Sequence, residues 1–343
     1  MAHSPTPLKF LMPGWYALVM GLAGLALAWH RAVPVLGELA GAVSLLVGVL
    51  AGAVFAVLAV ATVIRGRRYP EAWAEDRRHP VRHTFIAAMP IGVLLLATVG
   101  VAIAGLQSPL WLALWWVGAL AQLFVTGWVL VRWWRPAAQG GLQWAGVTPA
   151  LFIPIVGNVL VPLAGVPLGQ PEWSAAQFGL GLLFWPLVMA LVLVRIAVQG
   201  MWPERLLPTA FIFVAPPAVI GLGLLQLGAP VGLAWALWGM AMFTLGWAGA
   251  LLPRIAKLPF GLPHWAMSFP LAATAALTLR LAAPATAMAA LGLALLAAAS
   301  LLILALLAGT VRGLRDGSLL APEPAAPIQP AAAPAVGPAS PAA

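Results

Sequence analysis

The sequence predicts an all-α integral membrane protein of ten transmembrane helices, paired as five helical hairpins. Three observations carry that expectation. The first is composition: of 343 residues, 63% are hydrophobic and only 7% charged, with a mean hydropathy of +1.02, whereas a soluble domain carries about a quarter charged residues. The second is length, because apolar runs of the roughly 20 residues that a helix needs to cross the hydrocarbon core recur along the chain. The third is the placement of proline, which follows the parity of those runs.

Taken in order, the spans are 11–31, 38–64, 81–104, 110–132, 145–164, 174–195, 206–227, 231–252, 262–281 and 286–311. Span 1 contains Ala26-Leu27-Ala28, a small-x-small pattern resembling a signal-peptidase site. Its apolar run is too long for a signal peptide, so it counts as a span. Span 2 carries Gly37, Gly41, Gly48 and Gly52, two small-xxx-small pairs that permit close backbone approach. Span 4 is flanked by Trp111, Trp115 and Trp116 at one end and by Trp133 and Trp134 at the other, which read as interfacial belts. Residues 1–10 are expected to form an amino-terminal cytoplasmic segment, 11–312 the ten-helix transmembrane domain and 313–343 a cytoplasmic tail. The stretch from 321 is Pro/Ala-rich, with too little apolar bulk to build a core, and is expected to be disordered.

Orientation follows from Lys and Arg. Of the 17, fifteen fall in the termini and loops on one side, and only Arg31 and Arg280 on the other. That bias places both termini in the cytoplasm, and it works only if the span count is even. The formal charge of +9 therefore serves topology, and no nucleic-acid partner is implied. The expected surroundings are lipid bilayer, in the cell's inner (plasma) membrane.

Proline lies inside the odd spans: Pro13 in span 1, Pro90 in span 3, Pro149, Pro154 and Pro162 in span 5, Pro208, Pro216 and Pro217 in span 7, Pro263 and Pro270 in span 9. Among even spans only the sixth has one, Pro186. The odd spans share an aromatic-then-proline flavour, FIAAMPIG, LFIPIVG, FIFVAPP and MSFPLA, as a two-helix unit used five times would. Proline removes a backbone donor and kinks a helix, so Pro13, Pro90, Pro154, Pro216 and Pro270 are expected helix kinks. Kinked helices are tolerated where neighbours or a water-filled cavity satisfy the freed groups. Five bent inner helices ringed by five straighter ones would enclose a conduit.

The eight acidic residues all lie outside the spans or at their edges. Cation and proton pathways rely on buried carboxylates, so the pattern favours anions. Arg82, Arg254 and Lys257 lie near the basic ends of odd spans and are candidate pore-mouth cations, beside their ordinary role as topology determinants. His79 and His83 have a helical ligand spacing, but Pro80 intervenes and no third ligand is evident, so no metal is expected. His264 opens span 9 as an isolated interfacial histidine. The chain has no cysteine, no phosphate-binding GxxxxGK[ST] loop and no GxSxG elbow. Neither a cofactor nor enzymatic activity is expected.

Five segments in order, MPGWYALVMGLAGLALAW, HPVRHTFIAAMP, GVTPALFIPIVGN, PTAFIFVAPPAVIG and KLPFGLPHWAMSFPLA, resemble the tellurite-resistance/dicarboxylate transporter family, which includes bacterial TehA and the slow-type anion channels of plant guard cells. The resemblance covers about residues 10–312. It implies ten helices in five hairpins around a quasi-fivefold pore, usually as a homotrimer, and a phenylalanine in the ninth helix that plugs the pore. The matching position is Phe269, beside Pro270. Phe85 matches another pore-facing aromatic of the family, and Phe152 and Phe213 follow as candidate pore-lining residues through the internal repeat. Trp15, Tyr16 and Met89, near the kinks of spans 1 and 3, leave the pore diameter open. The function so implied is a passive channel for small anions such as chloride and nitrate, gated by Phe269. The alternatives are a proton-coupled secondary transporter of C4-dicarboxylate, sulfite or tellurite-related oxyanions, and a non-transporting membrane scaffold or receptor.

Overall fold

Hydrocarbon offers no partner to a backbone N–H or carbonyl, so a chain this apolar must coil wherever it crosses. The computed structural model describes residues 7–106 and 108–321, and is helical without a strand among them. Most of the expected Pro/Ala tail, 322–343, lies outside the described residues. Residues 313–321 complete the last helix, Ala287–Arg315, and add a turn at Ser318–Leu320.

Seven helices among the described residues are long and apolar enough to cross a membrane: Glu38–Arg68, Arg82–Ala104, Pro109–Trp133, Pro171–Gln199, Glu204–Gln226, Val231–Gly249 and Ala287–Arg315. A shorter apolar helix spans Pro149–Gly165. The expected spans 1 and 9 are occupied by α-segments Ala17–Arg31 and Ser268–Leu281, each entered through a short 3₁₀ turn.

That entry is common to all the odd spans. Each begins in 3₁₀ form and turns α-helical at Ala17, Ala88, Phe152, Ala215 or Ser268. At each junction the first α residue still donates three residues back: Ala17 to Gly14, Ala88 to Phe85, Phe152 to Pro149, Ala215 to Ile212 and Ser268 to Trp265. Two residues further on stand Pro90, Pro154, Pro217 and Pro270. A change from three-residue to four-residue hydrogen bonds makes one carbonyl accept twice, unless one donor is missing. Proline is that missing donor. The expected kinks are thereby relocated. Pro90, Pro154 and Pro270 sit at the entry of an α-segment rather than in its middle, Pro217 rather than Pro216 holds the shared register, and Pro13 opens a 3₁₀ turn.

Span 5 changes type again at Gly157–Leu160. The reverse change, from α to 3₁₀, skips a carbonyl, and polar side chains cover the gap. Gln122 Nε2 and Thr126 Oγ1 donate to the Pro154 carbonyl at 2.9 and 2.6 Å, and Asn158 Nδ2 to that of Ile155 at 3.0 Å. Gln177 Nε2 closes the network on Asn158 Oδ1 at 3.0 Å.

Burial separates the two sets of spans. In the apolar stretches of Arg82–Ala104 and Glu204–Gln226, 67% and 89% of residues are buried, against 39% or less in each of the five even-numbered helices. The odd segments are the core and the even ones its casing. Tryptophans tie the two together: Trp265 Nε1 donates to Thr310 Oγ1 at 2.9 Å, Trp238 Nε1 to Thr278 Oγ1 at 3.0 Å, and Trp29 Nε1 to Ser300 Oγ at 3.1 Å. Trp115, expected in a belt, is fully buried and donates to the Val161 carbonyl at 2.9 Å.

The basic loops are clasped at one end. Helix Pro70–Arg78 buries Asp76 completely, with Arg65 at 2.7 Å and Arg82 at 3.5 Å. Burial pushes the Asp76 carboxyl up, against the pull of both guanidiniums. Arg65 also donates to the Lys9 carbonyl at 2.9 Å, and Arg132 bonds the carbonyls of Arg77 and Arg78. Turn Ser318–Leu320 packs on Pro7–Phe10, so both described chain ends meet there. Removing one partner of a buried ion pair leaves an uncompensated charge and costs about 3–5 kcal/mol. Asp76→Ala should therefore lower thermal stability in detergent by that order, while Glu71→Ala, which breaks an exposed pair with Lys9, should leave it unchanged.

A central apolar cavity as the candidate functional site

The 3₁₀-to-α junctions of the odd spans lie around one cavity of about 50 Å³. Every odd span contributes: Ala17 and Met20 from the first, Phe85 and Ile91 from the third, Phe152, Ile153, Val156, Gly157 and Leu160 from the fifth, Ile212, Ala215 and Pro216 from the seventh, Trp265, Ala266, Phe269 and Pro270 from the ninth. The lining follows the register of the junction. Three residues before the α start stand Phe85, Ile212 and Trp265, and one residue after it Ile153, Pro216 and Phe269, all of them in the wall.

Phe269 is 7% exposed and lines the cavity. Its ring lies on Gly24 of the first segment, where a Cβ would come 2.9 Å from Cδ2. Only glycine leaves room for the benzyl group there. Of the other aromatic candidates, Phe85 and Phe152 line the cavity and Phe213 does not. Phe213 stands two residues before its α start, Phe152 at its own, so the aromatic-then-proline likeness did not keep register. The Phe213 ring packs between Phe152 at 5.5 Å and Trp247 of the eighth span at 5.3 Å.

The wall holds no charged or titratable side chain. Nor does it expose α-helix amino termini, because the preceding 3₁₀ carbonyls take up the first N–H groups. Arg82 pairs with Glu75 at 3.0 Å and with Asp76, Arg254 pairs with Glu204 at 3.0 Å, and Lys257 lies exposed in the loop before span 9. None of the three reaches the cavity. Around His79 and His83 no group of three metal-ligating side chains occurs among the described residues; His83 Nδ1 bonds the His79 carbonyl at 2.9 Å. His264 Nδ1 is bonded within its own turn to Gly261.

Sequence reasoning missed Trp265, Met20 and Ile212. Counting back from the proline shared by spans 3 and 9 would have found Trp265, which holds the place of Phe85. Met20 and Ile212 carry no such signal.

A single water needs at least about 10–15 Å³ of cavity space, so the 50 Å³ cavity has room for only a few. Hydrophobic constrictions gate some channels by dewetting, and the wall here is apolar.

The family model described as "Voltage-dependent anion channel" (SLAC1) matches residues 11–311. The chain is 28% identical over 269 residues to a tellurite resistance protein TehA homolog of Haemophilus influenzae, covering 77% of this chain and 79% of that one. It is 27% identical over 247 residues to the S-type anion channel SLAH2 of Arabidopsis thaliana, covering 70% of this chain and 46% of that one. It is 22% identical over 301 residues to the sulfite efflux pump SSU1 of Arthroderma otae, covering 76% and 78%. With an all-helical apolar fold whose core segments meet at one cavity, and a family match running almost the length of those segments, the chain belongs to the SLAC1 voltage-dependent anion channel family, the tellurite-resistance family of membrane anion transporters.

Proposed function

We propose that the chain is a passive anion channel whose ten helices form five hairpins around a central conduit, plugged by Phe269. The observation that carries this reading is that all five odd segments line one small apolar cavity and that the Phe269 ring stands in its wall. An anion must shed water to pass, and no fixed negative charge opposes it there. Selection then follows ease of dehydration and size, which favours chloride- and nitrate-like ions. The homotrimeric assembly, the inner-membrane location and the cytoplasmic placement of both termini belong to the same proposal, supported by the family resemblance and by the fifteen-to-two division of basic residues. The channel works without a cofactor and performs no covalent chemistry.

The sulfite efflux pumps among its relatives keep a coupled transporter in view. Proton coupling needs a titratable group in the pathway, and the cavity wall offers none. That favours passive flow.

The experiment is anion flux into liposomes, or planar-bilayer current, with the purified chain. Phe269→Ala should raise chloride and nitrate flux on the order of tenfold or more, equivalent to about 1.4 kcal/mol or more off the barrier. Phe213→Leu, outside the cavity wall, should leave flux at the wild-type level. An unchanged flux in Phe269→Ala overturns the plug, and uphill anion movement driven by a pH gradient would establish the coupled transporter instead.

A further inference from the structure

The two basic residues that break the positive-inside pattern come together. Arg31 ends the α-segment of span 1 and Arg280 stands in the last turn of span 9. These segments pack along one another, and both start at the cavity wall and run away from the basic end. Gly21 of the first lies against Ser268 of the second and Gly24 against Ala272, so the two run parallel and level and their terminal arginines share the end opposite the clasped loops. Among the described residues neither forms an ion pair, although Glu38 and Glu172 start helices at the same end.

Helix carboxyl termini favour cations, which accounts for each arginine alone. It does not account for two guanidiniums at the ends of one packed helix pair, at the end where basic residues oppose topology, with neither in an ion pair among the described residues. We propose that Arg31 and Arg280 form an anion-capture site at this mouth, taking small inorganic or carboxylate anions from solution and raising their concentration where the two pathway segments end. The site deepens the proposed channel function and rests on it for its purpose. Its electrostatics are independent of conduction. At the opposite end Arg82 and Arg254 are each matched by a carboxylate.

The test uses the absence of cysteine in the chain. The full-length protein carrying Ala283→Cys, an exposed position three residues beyond Arg280, is labelled with an uncharged fluorophore in detergent. Quenching by iodide is compared with quenching by neutral acrylamide. At low ionic strength Arg31→Gln/Arg280→Gln should lower the iodide-to-acrylamide ratio by about threefold, as loss of a local potential of about one kT requires. At about 1 M salt, where the Debye length is about 3 Å, wild type and variant should converge. Arg280→Lys should retain the wild-type ratio. Should the double variant not fold, Arg280→Gln alone, at an exposed position, gives the same readout with a smaller drop. A ratio that is the same with and without the arginines at low salt overturns the site. Because no conduction is measured, this outcome is separable from an unresponsive Phe269→Ala.

Discussion

The constraint on which the structure depends is the matching of backbone donors to acceptors where water is absent. Five core segments change from 3₁₀ to α in their course, and every such change creates a surplus donor. Four of the five carry proline two residues past the change, where the surplus N–H would be. In span 5, which changes back as well, the opposite deficit is met by Gln122, Thr126 and Asn158. Prolines that first read as breaks are thus part of the hydrogen-bond accounting. This lets the core segments alter their pitch without leaving polar backbone groups unpaired.

The cavity lies at the level of these junctions. Because the 3₁₀ turns saturate the first N–H groups of the α-segments, the cavity is left without open backbone donors as well as without charge. What remains is an apolar cavity, the setting on which the proposed dehydration barrier rests. The Phe269 ring owes its position to neighbours on both sides. Pro270 and the junction orient its backbone, and Gly24 supplies the missing methyl against which the ring lies.

Charge is handled outside the apolar zone. At the basic end, Asp76 of helix Pro70–Arg78 binds Arg65 and Arg82 together, so several cations there are engaged in a buried clasp and in carbonyl contacts, away from the cavity. At the far end the reverse holds. Arg31 and Arg280 end two packed segments, and neither is in an ion pair among the described residues.

The membrane class, the all-helical fold, the deeper burial of the odd segments and the basic end were legible in the sequence, because hydropathy, proline parity and Lys/Arg position are one-dimensional consequences of solvation. The attention given to Phe269, which lines the cavity, came only from a family resemblance. Register around the cavity was not legible: Phe152 and Phe213 looked equivalent to Phe269 beside their prolines, yet a shift of one or two residues turns a helical side chain by 100° or more. Phe213 consequently packs on Trp247 while Trp265 enters the wall. The burial of Trp115, the seat at Gly24 and the placing of Arg31 and Arg280 at one end of a packed helix pair likewise depended on which helices pack together, and it is in those pairwise contacts, beyond the reach of local pattern, that the tertiary structure decided the site.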